Sequence, residues 1–345
     1  MKGLSVKGFS PICGRCLTDG IVAEHTDRSH AGIMRARATA PARAAARALP
    51  GKQIRPLKPG SAPWLRLMTG SKMAAVVGLS PWESPFSLWH RMAGAIDGQA
   101  DSAILRRGHY LEPAILRWLA DQHPDWTLLP GGMWQHPDDS RFAASPDAMA
   151  WSPTDGMRCI EAKTAANDEH WGRPGSDEIP VGYKVQVMWE MACSGARTTH
   201  IAVLTSRLAF AEYVIDYDAD EVAFLYDKAW DFLASLPGGG AEVRPDIDSH
   251  DSTYQAVRHL HPDVDGQDVE IDRDLAAAYC SARHDLARAE AEATRTKSLL
   301  ADALGTGKRA RFQDQTIARR QAKGAGIPHV VAANGLPTFT EEAAA

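Results

Sequence analysis

The sequence predicts a mixed α/β fold, and three observations carry that expectation. Helical, alternating and again helical segments follow one another between residues 71 and 236, 44% of the 345 residues are hydrophobic, and no apolar run reaches the roughly 20 residues that a membrane span needs. This apolar content excludes a wholly disordered chain. Met1 to Ser10 lack the apolar core of an export signal, which points to the cytoplasm. Five cysteines, Cys13, Cys16, Cys159, Cys193 and Cys280, are then expected as reduced thiols. The formal net charge of −5 conceals an asymmetry: residues 1–60 carry 11 Lys+Arg and 3 Asp+Glu, the remainder 27 and 40. A basic head of this kind can meet a polyanion or simply remain solvated.

Residues 1–63 read as a basic arm rich in Ala, Arg and Pro, with structured sequence expected from Trp64. Residues 64–236 read as the core. Ser71–Val77 reads as a helix with Ser71 able to cap it, ended by Gly78 and Pro81, and a second helix is expected from Ser84. Over Ser102–Gln122, Ile104, Gly108, Leu111, Ile115 and Leu119 recur at helical spacing around a kink expected at Pro113. Gly132–His136, Phe142–Ala150 and Arg158–Lys163 alternate as strands do. A helix over Pro180–Cys193, strands over Thr198–Thr205 and Phe210–Tyr217, and a helix over Asp218–Leu236 complete the core. Residues 237–270 read as a connecting segment. In 271–345, Leu275, Tyr279, Ala282, Leu286, Ala289, Ala293 and Leu300 form the narrow seam of a long amphipathic helix. Packing within the chain is expected of that seam ahead of an intermolecular coiled coil, and a basic tail follows.

One constellation carries chemistry. Ser145-Pro146-Asp147 is separated by thirteen residues from Glu161-Ala162-Lys163. On neighbouring strands, Asp147 and Glu161 would bring two carboxylates to one sheet edge, and the two-residue step from Glu161 to Lys163 would deliver an ammonium on the same face. Oxygen donors without Cys or His favour magnesium or manganese over zinc. Such an ion can polarise a phosphodiester and acidify its bound water. An Asp in a turn and an E-x-K alternation on an exposed strand are each common by themselves, so the surrounding motifs matter.

Those motifs are similar to the YqaJ / lambda-exonuclease branch of the PD-(D/E)xK nucleases over roughly Trp64–Ser206. The block from Trp64 to Ser71 followed by "AAVVGLSPWESPFSLW" resembles the family's opening motif, with a shorter Arg-to-Ser spacing. "RRGHYLEPAI" resembles its RG…EP helix, with Glu112 in the acidic position. "ASPDA" and "IEAKTA" resemble its SPDG and E-x-K strands, with Ala148 in place of the commoner glycine. "GYKVQVMWEM" resembles the helix that carries its Tyr and Gln, here Tyr183 and Gln186.

The resemblance implies a restriction-endonuclease-like core flanked by helices, and a magnesium- or manganese-dependent 5′-to-3′ exonuclease that leaves 3′ single-stranded overhangs on duplex DNA. It implies that Asp147, Glu161, the Ala162 carbonyl and Glu112 hold the metal, that Lys163 orients or deprotonates the attacking water, and that Gln186 positions it beside Tyr183. Arg66, Ser71 and Ser145 would receive the 5′ phosphate, for which an Arg fork and hydroxyls are suited. DNA ends, a single-strand annealing protein and a homotrimeric ring are the implied partners. An endonuclease of the same fold and a catalytically silent DNA-binding module remain as alternatives. Separately, Cys13, Cys16, His25 and His30 could close a zinc knuckle, although the eight-residue gap between Cys16 and His25 is shorter than in ordinary fingers.

Overall fold

The computed structural model describes residue 41, residues 49–97 and residues 102–339. The proposed zinc ligands Cys13, Cys16, His25 and His30 lie outside the described residues. The chain divides into two compact units, one ending at Asp263 and the other beginning at Val264.

In the first unit, β1 (Lys52–Ile54), α1 (Ala62–Leu65), β2 (Met68–Thr69), α2 (Gly70–Val76), α3 (Pro85–Met92) and α4 (Ala103–Gln122) lead into a run of strands. These are β3 (Thr127–Pro130), β4 (Met133–Gln135), β5 (Phe142–Ala144), β6 (Ala148–Ser152) and β7 (Gly156–Thr164). Helix α5 (Val181–Ser194), strands β8 (Thr198–Leu204) and β9 (Phe210–Asp216), and helices α6 (Ala219–Ser235) and α7 (Asp251–Leu260) follow. The main sheet has the order β3-β6-β7-β8-β9, with β7 and β8 parallel and the other pairs antiparallel. A smaller sheet has the order β1-β4-β5-β2. This is a mixed α/β sheet flanked by helices, as the alternation of segments predicts.

Alternation along β7 and β8 divides the core between the two faces of the main sheet. Cys159, Ile201 and Val203 pack with Val187, Met188 and Met191 of α5, whereas Ile160 and Ala202 pack with Ile115, Leu116 and Leu119 of α4. The C-terminal half of α5, Val187–Ser194, is buried all round because it is enclosed by α2, α6 and the sheet.

Several expectations change. Order reaches back to Lys52, since β1 pairs with β4. Phe142–Ala150 is two strands rather than one: Pro146 cannot donate a ladder hydrogen bond, and the chain leaves the small sheet after β5 and enters the main sheet at β6. Ser71 is not a cap. Thr69 is the N-cap of α2, without a side-chain cap bond, and Ser71 stands inside the first turn. Helix α4 contains Pro113 in its interior, as read from the sequence, and Ser102 accepts from the Leu105 N–H at its start. The segment 237–270 contains α7, which is fastened to α3 where Ser84 N–H donates to Ser252 Oγ at 2.8 Å and Thr253 Oγ1 donates to Ser84 Oγ at 2.6 Å.

The second unit consists of α8 (Arg273–Leu304) and an antiparallel sheet of β10 (Arg309–Phe312), β11 (Gln315–Gln321) and β12 (His329–Ala332). Among the described residues, no residue of α8 is buried. Cys159, Cys193 and Cys280 are free thiols.

Candidate active site

Strand β7 points Glu161 and Lys163 to the α5 face, and α5 returns Gln186 and Glu190, one helical turn apart, onto them. Lys163 Nζ donates to Glu161 Oε1 at 2.6 Å and to Gln186 Oε1 at 3.2 Å. The Gln186 amide donates to the same Glu161 oxygen at 2.7 Å and to Glu190 Oε1 at 2.9 Å. Asp147, one residue before β6, accepts the Ala162 N–H at 2.8 Å. The turn that delivers Asp147 is fitted against Gly131, where a Cβ would lie 1.7 Å from the Pro146 carbonyl oxygen.

Burial, then the charges of Glu161 and Glu112, push the Asp147 carboxyl well above the carboxylate range, against the pull of Lys163 and the Ala162 N–H. Burial and the charge of Glu161 do the same to Glu190. For Lys163, burial opposes the charge, but Glu161 and Asp147 outweigh it and hold the ammonium above its usual range. Glu161 Oε2 and Glu190 Oε2 are buried and accept no hydrogen bond from the described residues. Carboxylates crowded around the Lys163 ammonium, with oxygens left unsatisfied, form a donor set that fits a hard divalent cation. Of the expected set, Asp147 and Glu161 come together here, the Ala162 N–H bonds Asp147, the charge of Glu112 reaches Asp147, and Glu190 is an acid that sequence reasoning missed. Its signal was a lone acid within the apolar run "VMWEMAC", one turn after Gln186.

Tyr183 borders the cluster, with Lys163 Nζ 4.9 Å from its ring centroid. The expected phosphate residues are less closely assembled. Arg66, Ser71 and Ser145 are all exposed, and Ser71 Oγ lies 3.2 Å from Thr69 Oγ1. Ser71 is nonetheless close to the cluster through its neighbour Gly70, where a Cβ would lie 3.3 Å from Gln186 Cγ and 3.5 Å from Glu190 Cγ. Buried Lys72 anchors this turn by donating to the Trp64 and Leu67 carbonyls at 2.9 and 2.6 Å. Burial, then the charge of Arg91, lower its pKa to about 7.

Residues 58–197 match the model of the YqaJ-like viral recombinase domain. The likeness to that family is confined to this segment of the chain. The uncharacterized protein YqaJ of Bacillus subtilis (strain 168) is 24% identical over 195 residues, which are 55% of this chain and 59% of that protein. This chain thus spans less than two thirds of that relative's length. Among solved structures, the alkaline exonuclease LHK-Exo from Laribacter hongkongensis is similar with a TM-score of 0.41 at 22% identity, covering 53% of this chain and 94% of that one. A phage related exonuclease from Haemophilus somnus 129PT is similar with a TM-score of 0.36 at 9% identity, covering 48% and 91%.

Among the described residues, His123, His200 and Glu212 form a second group able to hold a divalent metal. Their wide separation in the chain left no local motif to read.

Proposed function

We propose that this protein is a metal-dependent 5′-to-3′ exonuclease on double-stranded DNA, leaving 3′ single-stranded overhangs for phage-type recombination. The observation that carries the reading is the assembly of Asp147, Glu161, Lys163, Gln186 and Glu190 around carboxylate oxygens that lack hydrogen-bond partners, inside a YqaJ-like domain. Glu112, Asp147, Glu161 and the Ala162 carbonyl would hold magnesium or manganese, which when bound supplies phosphate polarisation and a more acidic water.

The protein's own groups do the remaining work. Lys163, held as an ammonium, is a donor here, so its role is to orient the attacking water and to stabilise negative charge growing on the phosphate oxygens. Gln186 keeps Lys163 and Glu161 in register by bonding both, and Glu190 fixes the Gln186 amide from behind. Ser145, two residues before Asp147, and Ser71, beside Gly70, would receive a terminal phosphate, with Arg66 as their cationic partner.

Digestion of linear duplexes bearing 5′-phosphate or 5′-hydroxyl ends, beside a covalently closed circle, tests the proposal. The expected result is magnesium-dependent loss of the 5′-phosphorylated strand with the circle spared. Cutting of the circle would instead assign an endonuclease, and DNA binding without hydrolysis would assign a silent module.

A further inference from the structure

The second polar group occupies the opposite face of the main sheet. Glu212 pairs in register with Ala202, and His200 precedes Ala202 by two residues, so both share the α4 face on which Ala202 packs. His123 caps the C-terminus of α4 and completes the group from above. Its Nε2 lies 2.9 and 3.0 Å from the two Glu212 carboxylate oxygens, and His200 Nδ1 lies 2.6 Å from Glu212 Oε1. One donor atom from each residue falls within 4.8 Å of the others. Tetrahedral zinc bound by imidazole and carboxylate separates its donor atoms by about 3.3–3.5 Å, so a rotamer-scale adjustment suffices.

The imidazoles are held in place before any ion arrives. His123 stacks on Trp126 at 3.6 Å and 10°, and His200 meets the same indole edge-on at 4.7 Å. The three side chains are 25%, 12% and 19% exposed for His123, His200 and Glu212, which leaves the group within reach of solvent. Burial works against ionisation of Glu212, but hydrogen bonds from His200 and His123 outweigh it and keep the carboxyl below its usual range. The Arg158 guanidinium, 4.2 Å from the Trp126 ring, is itself paired with Asp155 at 3.2 Å.

We propose that His123, His200 and Glu212 form a site for a zinc-class transition-metal ion, separate from the all-oxygen cluster around Asp147, with its remaining position open to water. Two imidazoles and one carboxylate suit zinc and its neighbours rather than magnesium. The site would clip the end of α4 to β8 and β9. Glu112 lies on the same helix, ~16 Å away along its axis at 1.5 Å per residue, so the clip acts on α4 far from the acidic cluster. The inference stands on these residues alone and is independent of the exonuclease reading.

The test uses the full chain carrying Cys13→Ser and Cys16→Ser, stripped with chelator and dialysed against Zn2+, with bound metal and melting temperature as readouts. One zinc equivalent and a raised melting temperature are expected. Both are expected to persist in Asp147→Asn and to be lost in His123→Asn/His200→Asn. Glu212→Gln, which keeps a hydrogen-bonding partner for both imidazoles, is expected to bind zinc at least ten-fold more weakly, and it serves as the comparison should the double variant fail to fold. Zinc uptake that is absent in the starting protein, or equal in the Glu212→Gln variant, would show a hydrogen-bonded triad only. Uptake abolished by Asp147→Asn would move the ion to the acidic cluster. Either result overturns the proposal.

Discussion

Asp147 and Glu190 sit where burial and neighbouring carboxylates oppose their ionisation, and this has a measurable sign. Their native pKa values are raised above the unfolded ones, so the native state holds their protons more tightly. The stability this contributes is full below the ordinary carboxylate range near about 4 and is lost as pH rises through the raised values. In chelator, the melting temperature of the native sequence relative to Asp147→Asn is therefore expected to fall as pH rises from about 4 toward neutrality, and added magnesium should reduce that fall. A difference independent of pH would contradict the crowding described for this cluster. At this scale the sequence was legible where the chemistry follows strand period. Glu161 and Lys163 share a face because they are two apart, and Asp147 precedes them by one hairpin. Glu190 was not legible, because a buried acid within an apolar helix reads as an isolated polar residue until Gln186 is seen bonded to it. Arg66, Ser71 and Ser145 were read from motif likeness alone, and no hydrogen bond between them defines a pocket among the described residues.

At the scale of elements, the site depends on where three segments end. Strand β6 must begin immediately after Asp147, β7 must pair with it in register, and α5 must lie across both. The first requirement rests on the close approach of Gly131 to Pro146. Gly131→Ala is expected to destabilise the protein by about 1–3 kcal/mol through overpacking and to lower hydrolysis by displacing Asp147, as thermal melts and initial rates would show. A variant with native stability and rate would mean that the turn adjusts freely. The segments α4, α5, β7, β8, β9 and α6 were legible because each carries buried apolar residues at helical or strand spacing or in a continuous run. The break at Pro146 was missed because β5 and β6 are both buried and apolar. Their alternation therefore runs on across two different sheets, and only the missing proline N–H marks the change. Helix α7 was missed because its sequence is mostly polar, its burial being limited to Thr253 and Ala256.

At the scale of the whole molecule, the chain divides into two compact units, the first ending at Asp263 and each with its own internal contacts. A chain ending at Asp263 is therefore expected to melt at the same temperature as the first transition of the full protein, as calorimetry would show. A lowered midpoint would mean that the second unit stabilises the first. The 4,3 spacing along Arg273–Leu304 correctly implied a long helix, but spacing alone could not say whether the seam would be covered. No residue of α8 is buried. No helix among the described residues is long and apolar enough to cross a membrane.

The central claim is that the cluster around Asp147, Glu161 and Lys163 is a hydrolytic centre, and single-turnover hydrolysis of a 5′-phosphorylated duplex in magnesium tests it most directly. Lys163→Ala is expected to slow cleavage by about 10²–10³-fold with DNA binding retained, because a preorganised charge on the reacting phosphate is lost. Asp147→Asn should abolish cleavage while melting no lower than the native sequence in chelator, since it removes a carboxylate that its neighbours repel. Cleavage at the native rate in both variants would contradict the account.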